Sequence, residues 1–204
     1  MIRRQTGILF LLLVSACAEL APGTAAIPGD EKAFDVIANF SKIAAHAGQD
    51  AKLIELEVQY VPTSGLLDLT QQYKPNVKTK FVAKASQADV DGQGPRAPGS
   101  GFKLGDLINV EVDVQVPSRT SEWTERNLGM ERTSGSLYSS SDDYVEAPKC
   151  AFGQLWKDAI AKGAPTDVVA IIEYDKAGYK FKANGKNFEA SFDMGCKIGE
   201  VPKN

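Results

Sequence analysis

Histidine and cysteine are scarce in this chain, whose 204 residues contain one histidine and three cysteines. A Ser-His-Asp centre would depend on the single imidazole of His46, which the residue spacing places on the polar side of a helix. A zinc site needs clustered Cys and His ligands, and the sequence has no such cluster. The glycine patterns of nucleophile elbows, phosphate loops and dinucleotide-binding turns are absent as well. The sequence therefore predicts no catalytic residue, no metal ligand and no cofactor.

A basic excess is also missing, since Lys and Arg number 23 against 26 Asp and Glu and the net charge is −3. Removal of a signal peptide that carries Arg3 and Arg4 would bring the mature chain near −5. A chain of this charge, with no basic stretch interleaved with aromatics, is not expected to bind nucleic acid. Pairs of carboxylates such as Glu55 and Glu57 leave one enzymatic alternative open, a hydrolase that acts through two carboxyl groups.

The apolar run 8–14 is too short to span a bilayer. It follows two arginines, and this arrangement is typical of a secretory signal rather than a core helix. The run ends in Val14-Ser15-Ala16-Cys17, which is an aliphatic residue, two small residues and a cysteine. This pattern resembles the lipobox of bacterial lipoproteins. The resemblance implies a signal peptide over 1–16 and a lipid group on the thiol of Cys17, which would become the first mature residue.

A second interpretation of the same site stays open, because Ala16-Cys17-Ala18 also fits ordinary signal peptidase, which would discard Cys17. Cysteine parity favours the lipid, since three cysteines in an exported chain leave one without a partner. Ala18 is not the aspartate that keeps many lipoproteins in the inner membrane, so the resemblance implies an outer-membrane destination. Residues 17–29, with Pro22, Gly23 and Pro28, are predicted to be a tether.

The C-terminal part, 150–204, has the clearest pattern. Residues 151–162 have the apolar spacing of a helix with one buried face, and Gly163 is suited to end it. Strands are predicted at 168–174 and on both sides of Asn184-Gly185, a dipeptide typical of type I′ hairpin turns. Such a two-residue turn would set Phe181 opposite Phe188, Tyr179 opposite Ala190 and Lys180 opposite Glu189.

Cys150 precedes this helix and Cys196 follows the last strand. A disulfide between them would close the unit and remove roughly 4 kcal/mol of unfolded-chain entropy on the loop-length model. The alternative is a pair of free, buried cysteines, which is less usual in an exported protein.

The first mature part, 30–117, begins with a predicted helix. Asp30 is suited to its N-cap, the apolar spacing runs from 33 to 47, and Gly48 is suited to end it. Residues 54–60 then alternate between apolar and polar, which predicts a strand with 54, 56, 58 and 60 on its buried side.

Further strands are predicted after this one. Leu67 and Leu69 are expected to begin a returning strand, and residues 77–83 to form a third whose lysines face the glutamates of the first strand or of its neighbour. Residues 86–101 hold four glycines and two prolines and are expected to be a mobile loop. The alternation over 107–116 predicts another strand.

Both parts thus have the order helix, glycine, antiparallel strands, and the fold class is α+β with two helix-plus-sheet modules, the second closed by the disulfide. A shift of 116 residues lays 54–58 over 170–174 and Glu57 over Glu173, which suggests an internal duplication. The order of elements resembles PepSY and cystatin-like domains, and this implies helices packed on a curved sheet. The cystatin inhibitory loop sequence is absent, so the resemblance implies no activity.

Residues 118–149 form a long polar insertion that contains Trp123, Tyr138 and Tyr144. One interpretation is a long hairpin whose aromatic side chains pack on the core. The other is an arm that binds a partner through exposed aromatic residues. We predict a non-enzymatic, lipid-anchored envelope protein that binds a protein or peptide; the alternatives are the hydrolase of envelope polymers and a structural spacer.

Overall fold

The computed structural model describes residues 24–71, 75–93, 101–115, 129–139 and 143–199. The strands are β1 Thr24–Ala25, β2 Lys52–Val61, β3 Asn76–Lys84, β4 Leu107–Gln115, β5 Gly129–Leu137, β6 Ala170–Asp175, β7 Gly178–Ala183 and β8 Glu189–Phe192. The helices are α1 Val36–Ala47, α2 Gln87–Asp91 and α3 Phe152–Ala161. The strands form one antiparallel sheet in the order β1-β5-β4-β3-β2-β6-β7-β8. The predicted α+β class is confirmed.

The core lies on one face of this sheet. Alternate residues along the central strands are buried, because successive side chains of a strand point to opposite faces. Helix α1 packs on β3, β4 and β5, with Phe40 against Phe81. In α3, Trp156 meets the ring of Phe181 edge-on at 4.7 Å and donates from Nε1 to the carbonyl of Val61 at 3.2 Å. Both longer helices therefore cover the same face.

The two halves of the chain meet at the pair β2–β6. Leu56 lies opposite Tyr174, Glu57 opposite Glu173, and Val58 opposite Ile172. The sheet continues through this pair, and buried side chains from both halves form one contiguous cluster. The predicted division into two modules is therefore not confirmed, since the halves share one sheet and one core.

Helix α1 begins later than predicted. Its N-cap is Asp35, whose carboxylate accepts from two backbone amides of the first turn at 2.9 and 3.0 Å, and not Asp30. Phe34 instead exchanges two backbone hydrogen bonds with Leu67, and Leu69 donates to the carbonyl of residue 31. This pairing keeps the residues before α1 extended. It also means that Leu67 and Leu69 do not begin a strand of the sheet, so that prediction is wrong.

Two irregularities in β2 change which side chains reach the core. The register shifts near Ile54 and again before Val61. Ile54 consequently lines a cavity on the other face, and Tyr60 has φ 58° and is 37% exposed. Leu53 and Val61 occupy the buried positions at the two ends of the strand. The simple alternation of 54–60 could not reveal these bulges.

Part of the predicted mobile loop 86–101 is the short helix α2. Ser86 caps it, accepting from the backbone N–H of Asp89 at 3.2 Å, while the Asp89 carboxylate accepts from the Ser86 N–H at 2.8 Å. This reciprocal capping box is a sequence signal that the count of glycines and prolines obscured. Residues 94–100 lie outside the described residues.

The hairpin at Asn184-Gly185 forms, but its register differs by two residues from the prediction. Lys186 donates to the carbonyl of Ala183, and only Gly185 of the two central residues has positive φ, so the turn is not type I′. The loop is thus four residues long. Phe181 lies opposite Ala190 and Tyr179 opposite Phe192, and the cross-strand charge pair is Lys182–Glu189 at 3.3 Å. The aromatic rings still face the core.

The predicted disulfide is confirmed, with the Cα atoms of Cys150 and Cys196 5.6 Å apart. Tyr179 supports it, because its phenol oxygen accepts from the backbone N–H groups of Lys149 and Cys150 at 2.9 and 3.1 Å. The bond therefore ties the start of α3 to the end of the sheet, beside a buried tyrosine.

An ion pair between Arg132 and Asp89 joins β5 to α2 on the core side. The guanidinium of Arg132 meets both oxygens of the Asp89 carboxylate, and its Nε donates to the carbonyl of Ala47 at the end of α1 at 2.8 Å. The Asp89 side chain is 2% exposed and that of Arg132 16%. Hydrogen bonds from Arg132, Ser134 and Ser86 outweigh the effect of burial and lower the pKa of Asp89 far below its ordinary value.

Replacement of Asp89 by alanine is expected to lower the free energy of unfolding by about 3 kcal/mol, because it leaves a largely buried guanidinium without its carboxylate. Urea unfolding at pH 7 measures the loss. The matched control is Asp91→Ala, on the exposed side of the same helix, with a loss below about 0.5 kcal/mol. Because the folded-state pKa of Asp89 is lowered, its contribution is present above pH ~4 and declines as the pH falls further. Equal losses in the two variants at pH 7 would contradict the assigned role.

Candidate functional site

The face of the sheet opposite the helices is open and charged. Paired residues place one row of side chains across seven strands, in the order Glu131, Asp113, Lys78, Glu57, Glu173, Lys180 and Ser191. We call this surface the open face. The lysines of β3 lie opposite glutamates of β2, as predicted, and Lys80 Nζ is 2.7 Å from Glu55 Oε2.

A groove of about 550 Å³ lies on the open face, across the paired ends of β2, β3, β4 and β5. We call it the tyrosine groove. Its lining combines a tyrosine ring with short polar and charged side chains, among them Lys80, Asn109, Glu111, Thr133 and Tyr138. The hydrogen bond that Lys80 donates to Glu55 raises the pKa of Lys80, so the lysine side chain stays protonated.

Tyr138 lines this groove, and the ring of Tyr144, which is not part of the lining, stacks on Tyr138. Their rings stack with centroids 5.8 Å apart and planes inclined by 29°. Tyr138 is positioned by β4, since its backbone N–H donates to the carbonyl of Leu107 at 2.9 Å. Tyr144 is 36% exposed. The two tyrosines that the sequence singled out as partner contacts thus lie side by side at the edge of a groove.

The segment that carries Tyr144 is held to the sheet at several points. Val145 donates from its backbone to the carbonyl of Leu53 at 2.9 Å, and Asp143 forms an ion pair with Lys176 at 2.7 Å. Further along, the phenol of Tyr174 donates to the carbonyl of residue 146 at 3.1 Å. Burial raises the pKa of Tyr174 to about 12, so the phenol keeps its proton. These contacts fix Tyr144 in place before any ligand arrives.

The phenol oxygen of Tyr138 is buried and has no hydrogen-bond partner within the described ranges. A buried hydroxyl without a partner costs about 1–3 kcal/mol. Buried donors without a partner are unusual in native structures. A ligand group that accepts a hydrogen bond from Tyr138 would explain this one.

A second feature of the open face is a carboxylate cluster at the other end of β4. Asp113 lies between Lys78 on β3 and Glu131 on β5, and Glu111 precedes it on the same face. Burial, reinforced by the charge of Glu111, raises the pKa of Asp113 to about 6. The oxygen Asp113 Oδ1 is buried and accepts no hydrogen bond from the part of the chain that the structure describes.

Two of the predicted contact residues are thus brought together, and two predicted site residues are not described. Trp123 and the lipidation site Cys17 both lie outside the described residues, so their roles stay predictions. Sequence reasoning missed the groove because part of its lining comes from β5, whose run Thr133-Ser134-Gly135-Ser136 is too small and polar to signal a strand.

Among the described side chains, no three His, Cys, Asp or Glu residues come close enough together to hold a metal ion. None of the helices that the structure describes has the length and apolar character needed to cross a membrane.

Replacement of Asp113 by asparagine is expected to stabilise the protein at pH 7 by about 1 kcal/mol, after allowance for partial exposure. The sign follows from the raised pKa: the folded state holds a proton more tightly than the unfolded state, so wild-type stability declines as the pH rises from about 4 through 6. Unfolding free energies of the two proteins should therefore converge near pH 4. The control Glu189→Gln, at an exposed position of the edge strand β8, removes only a surface ion pair with Lys182 and should stay within about 0.5 kcal/mol of the wild type throughout. An Asp113→Asn variant no more stable than wild type at pH 7 would contradict the prediction.

No protein-family model, curated protein or solved structure matches this chain. The resemblance to PepSY and cystatin-like domains therefore receives no support from these comparisons and stays a prediction. The site has to be interpreted from its own geometry.

Proposed function

We propose that this protein is an exported, lipid-anchored envelope protein without enzymatic activity, and that its open face binds a protein or peptide partner. The observation that carries the proposal is the tyrosine groove, where Tyr138 and Tyr144 stack beside polar side chains on a sheet face that no described helix covers. Concave sites with a few aromatic and polar groups are the usual form of a ligand site.

The fixed position of the tyrosines supports this interpretation. Tyrosine buries a large area on binding at low entropic cost, and rigid aromatic anchors dominate many interfaces. The contacts of Val145 and Asp143 hold the segment of Tyr144 before binding. Little conformational entropy would then be lost when a partner docks.

The predicted arm around Trp123 lies outside the described residues, but the points where it joins the sheet are described. Residues 116–128 connect Gln115 at the end of β4 to Gly129 at the start of β5, whereas Tyr138 follows the other end of the same hairpin. The two attachment points are about 30 Å apart for nine-residue strands. We therefore treat Trp123 and the tyrosine groove as separate contact sites, each with its own variant.

The hydrolase alternative has one observation in its favour, namely that Asp113, with its pKa raised to about 6, lies beside Glu111. Such a difference in environment is typical of acid–base pairs. However, Asp113 and Glu111 lie two residues apart on the same face of one strand, whereas glycosidic carboxyl pairs stand about 5–9 Å apart across the substrate. The binding function is therefore favoured.

We also propose that the two halves of the chain arose by duplication, and the register of the sheet supports it. The predicted shift of 116 makes Glu57 the counterpart of Glu173, and these two residues lie opposite each other in β2–β6. The same shift makes Leu56 the counterpart of Ile172 and Val58 the counterpart of Tyr174. In the sheet Leu56 lies opposite Tyr174 and Val58 opposite Ile172, which is the pairing expected for a two-fold axis at the Glu57–Glu173 pair. The same shift relates buried residues of the two helices, Val36 to Phe152, Phe40 to Trp156 and Ile43 to Ala159.

The flanking strands extend this correspondence. Lys78 lies opposite Glu57, and Lys180 lies opposite Glu173. An experimental structure in which α1, β2 and β3 do not superpose on α3, β6 and β7 would end the duplication proposal.

The double variant Tyr138→Ala/Tyr144→Ala is expected to lose partner binding by roughly tenfold or more, because it removes both aromatic anchors. The measurement is quantitative cross-linked co-purification from detergent-solubilised envelope, with the tagged full-length protein. Tyr60→Ala is the matched control, since Tyr60 is equally exposed but lies at the far end of β2. A Trp123→Ala variant tests the second contact site.

Three other results would contradict the binding proposal. Capture that is unchanged in the double variant would remove the groove from the interface. Absence of any stoichiometric partner would favour the spacer, and cleavage of purified envelope polymer that is lost in Asp113→Asn would favour the hydrolase.

Cys17→Ala is expected to abolish incorporation of a labelled fatty acid and to release the protein from the membrane fraction, because the thiol would carry the anchor. Labelling followed by fractionation measures both effects. Cys196→Ser, which removes a disulfide cysteine instead, should leave labelling intact. A mature wild-type chain that begins after residue 17, shown by mass spectrometry, would contradict the anchor and favour ordinary signal peptidase.

A further inference from the structure

The charges of the open face are not evenly matched. Lys80 pairs with Glu55, Lys182 with Glu189, and Lys180 with Asp175, all at 3.3 Å or less. Lys78 reaches only Glu111, at 4.0 Å. These four lysines thus each lie within 4.0 Å of a carboxylate.

Two carboxylates of the open face that have no ion pair among the described residues lie next to each other. Asp113 and Glu131 lie opposite each other on β4 and β5, and within the described ranges neither has an ion-pair partner. We call this pair, together with Asn76 on β3, the acidic end of the open face. Two buried oxygens there, Asp113 Oδ1 and Asn76 Oδ1, accept no hydrogen bond from any described residue. The acidic end of the described sheet therefore carries negative charge and two acceptor oxygens that no described group satisfies.

The acidic end and the tyrosine groove belong to one continuous surface. Asn109 in the groove and Asp113 at the acidic end are on the same face of β4, four residues apart. At about 3.3 Å per residue the separation is about 13 Å. An extended peptide that lies along β4 covers the same distance with four residues.

We propose that the open face binds an extended, basic polypeptide segment, with an aromatic or apolar side chain in the tyrosine groove and an arginine or lysine about four residues away at the acidic end. The inference rests on the proposed binding function and names the chemistry of the partner. Arginine fits best, because its planar guanidinium offers five N–H donors to the carboxylates and to the unpaired oxygens.

Charge complementarity argues against an acidic partner. An acidic segment would place like charges against Asp113 and Glu131, which costs affinity and slows association. A neutral glycan could use the polar lining of the groove but would leave the acidic end without a counter-charge. The attraction to a basic segment should weaken as salt is added, because the carboxylates lie near the surface.

Selection from a phage-displayed library of random 12-residue peptides, with the purified full mature chain as bait, tests the proposal. The enriched peptides are expected to carry net positive charge and an aromatic residue about four positions from Arg or Lys. A synthetic copy of the most enriched peptide should bind roughly three- to tenfold more weakly to Asp113→Asn/Glu131→Gln. It should also bind more weakly to Tyr138→Ala/Tyr144→Ala, and equally well to the control Glu189→Gln.

The outcomes separate the two proposals. Enriched neutral or acidic peptides whose binding depends on Tyr138 and Tyr144 would overturn the basic-segment inference and leave the binding function in place. Basic peptides whose affinity is unchanged in Asp113→Asn/Glu131→Gln would also overturn it. If no peptide is enriched, or if the affinity of the enriched peptide is unchanged in both double variants, the inference and the proposed peptide-binding function fail together.

Discussion

The antiparallel pairing of β2 with β6 is the constraint on which the whole architecture depends. It joins the five strands β1 to β5 on one side to the three strands β6 to β8 on the other. Leu56, Val58, Ile172 and Tyr174 bury their side chains at this junction. On the other face the same pair places Glu57 opposite Glu173. Like charges directly opposite each other are unfavourable, but a lysine on each neighbouring strand lies opposite one of the glutamates.

Because both longer helices pack on the same side of this sheet, the other side is left open. A sheet with one covered face needs apolar residues only on that face, and the alternation along β4 satisfies this requirement. The open face is therefore available for a partner, and its mixture of ion pairs keeps it from acting as a general hydrophobic surface. The tyrosine groove is the part of this face where aromatic area and polar groups meet.

The C-terminal half contributes to the groove through the segment that it holds in place. Tyr179 binds the backbone at 149–150, next to the disulfide of Cys150, and Tyr174 binds the backbone at 146. These contacts lie two to six residues from Tyr144. Stability of the second half and geometry of the binding surface are thus linked, since loss of the buried tyrosine contacts would release the segment that carries an aromatic anchor.

Local patterns in the sequence determined much of this structure. The alternation over 107–116, the helix before Gly163 and the pairing of Cys150 with Cys196 were all predictable, because each depends on residue period, on turn chemistry or on cysteine parity. What only the tertiary structure decided was how these elements combine. The bulges that turn Ile54 away from the core and the join of β2 to β6 depend on long-range pairing, and no local pattern encodes a partner 116 residues away. The stack of Tyr138 on Tyr144 depends on long-range pairing as well, because the backbone of Tyr138 is bound by Leu107 and the segment of Tyr144 is bound by Leu53.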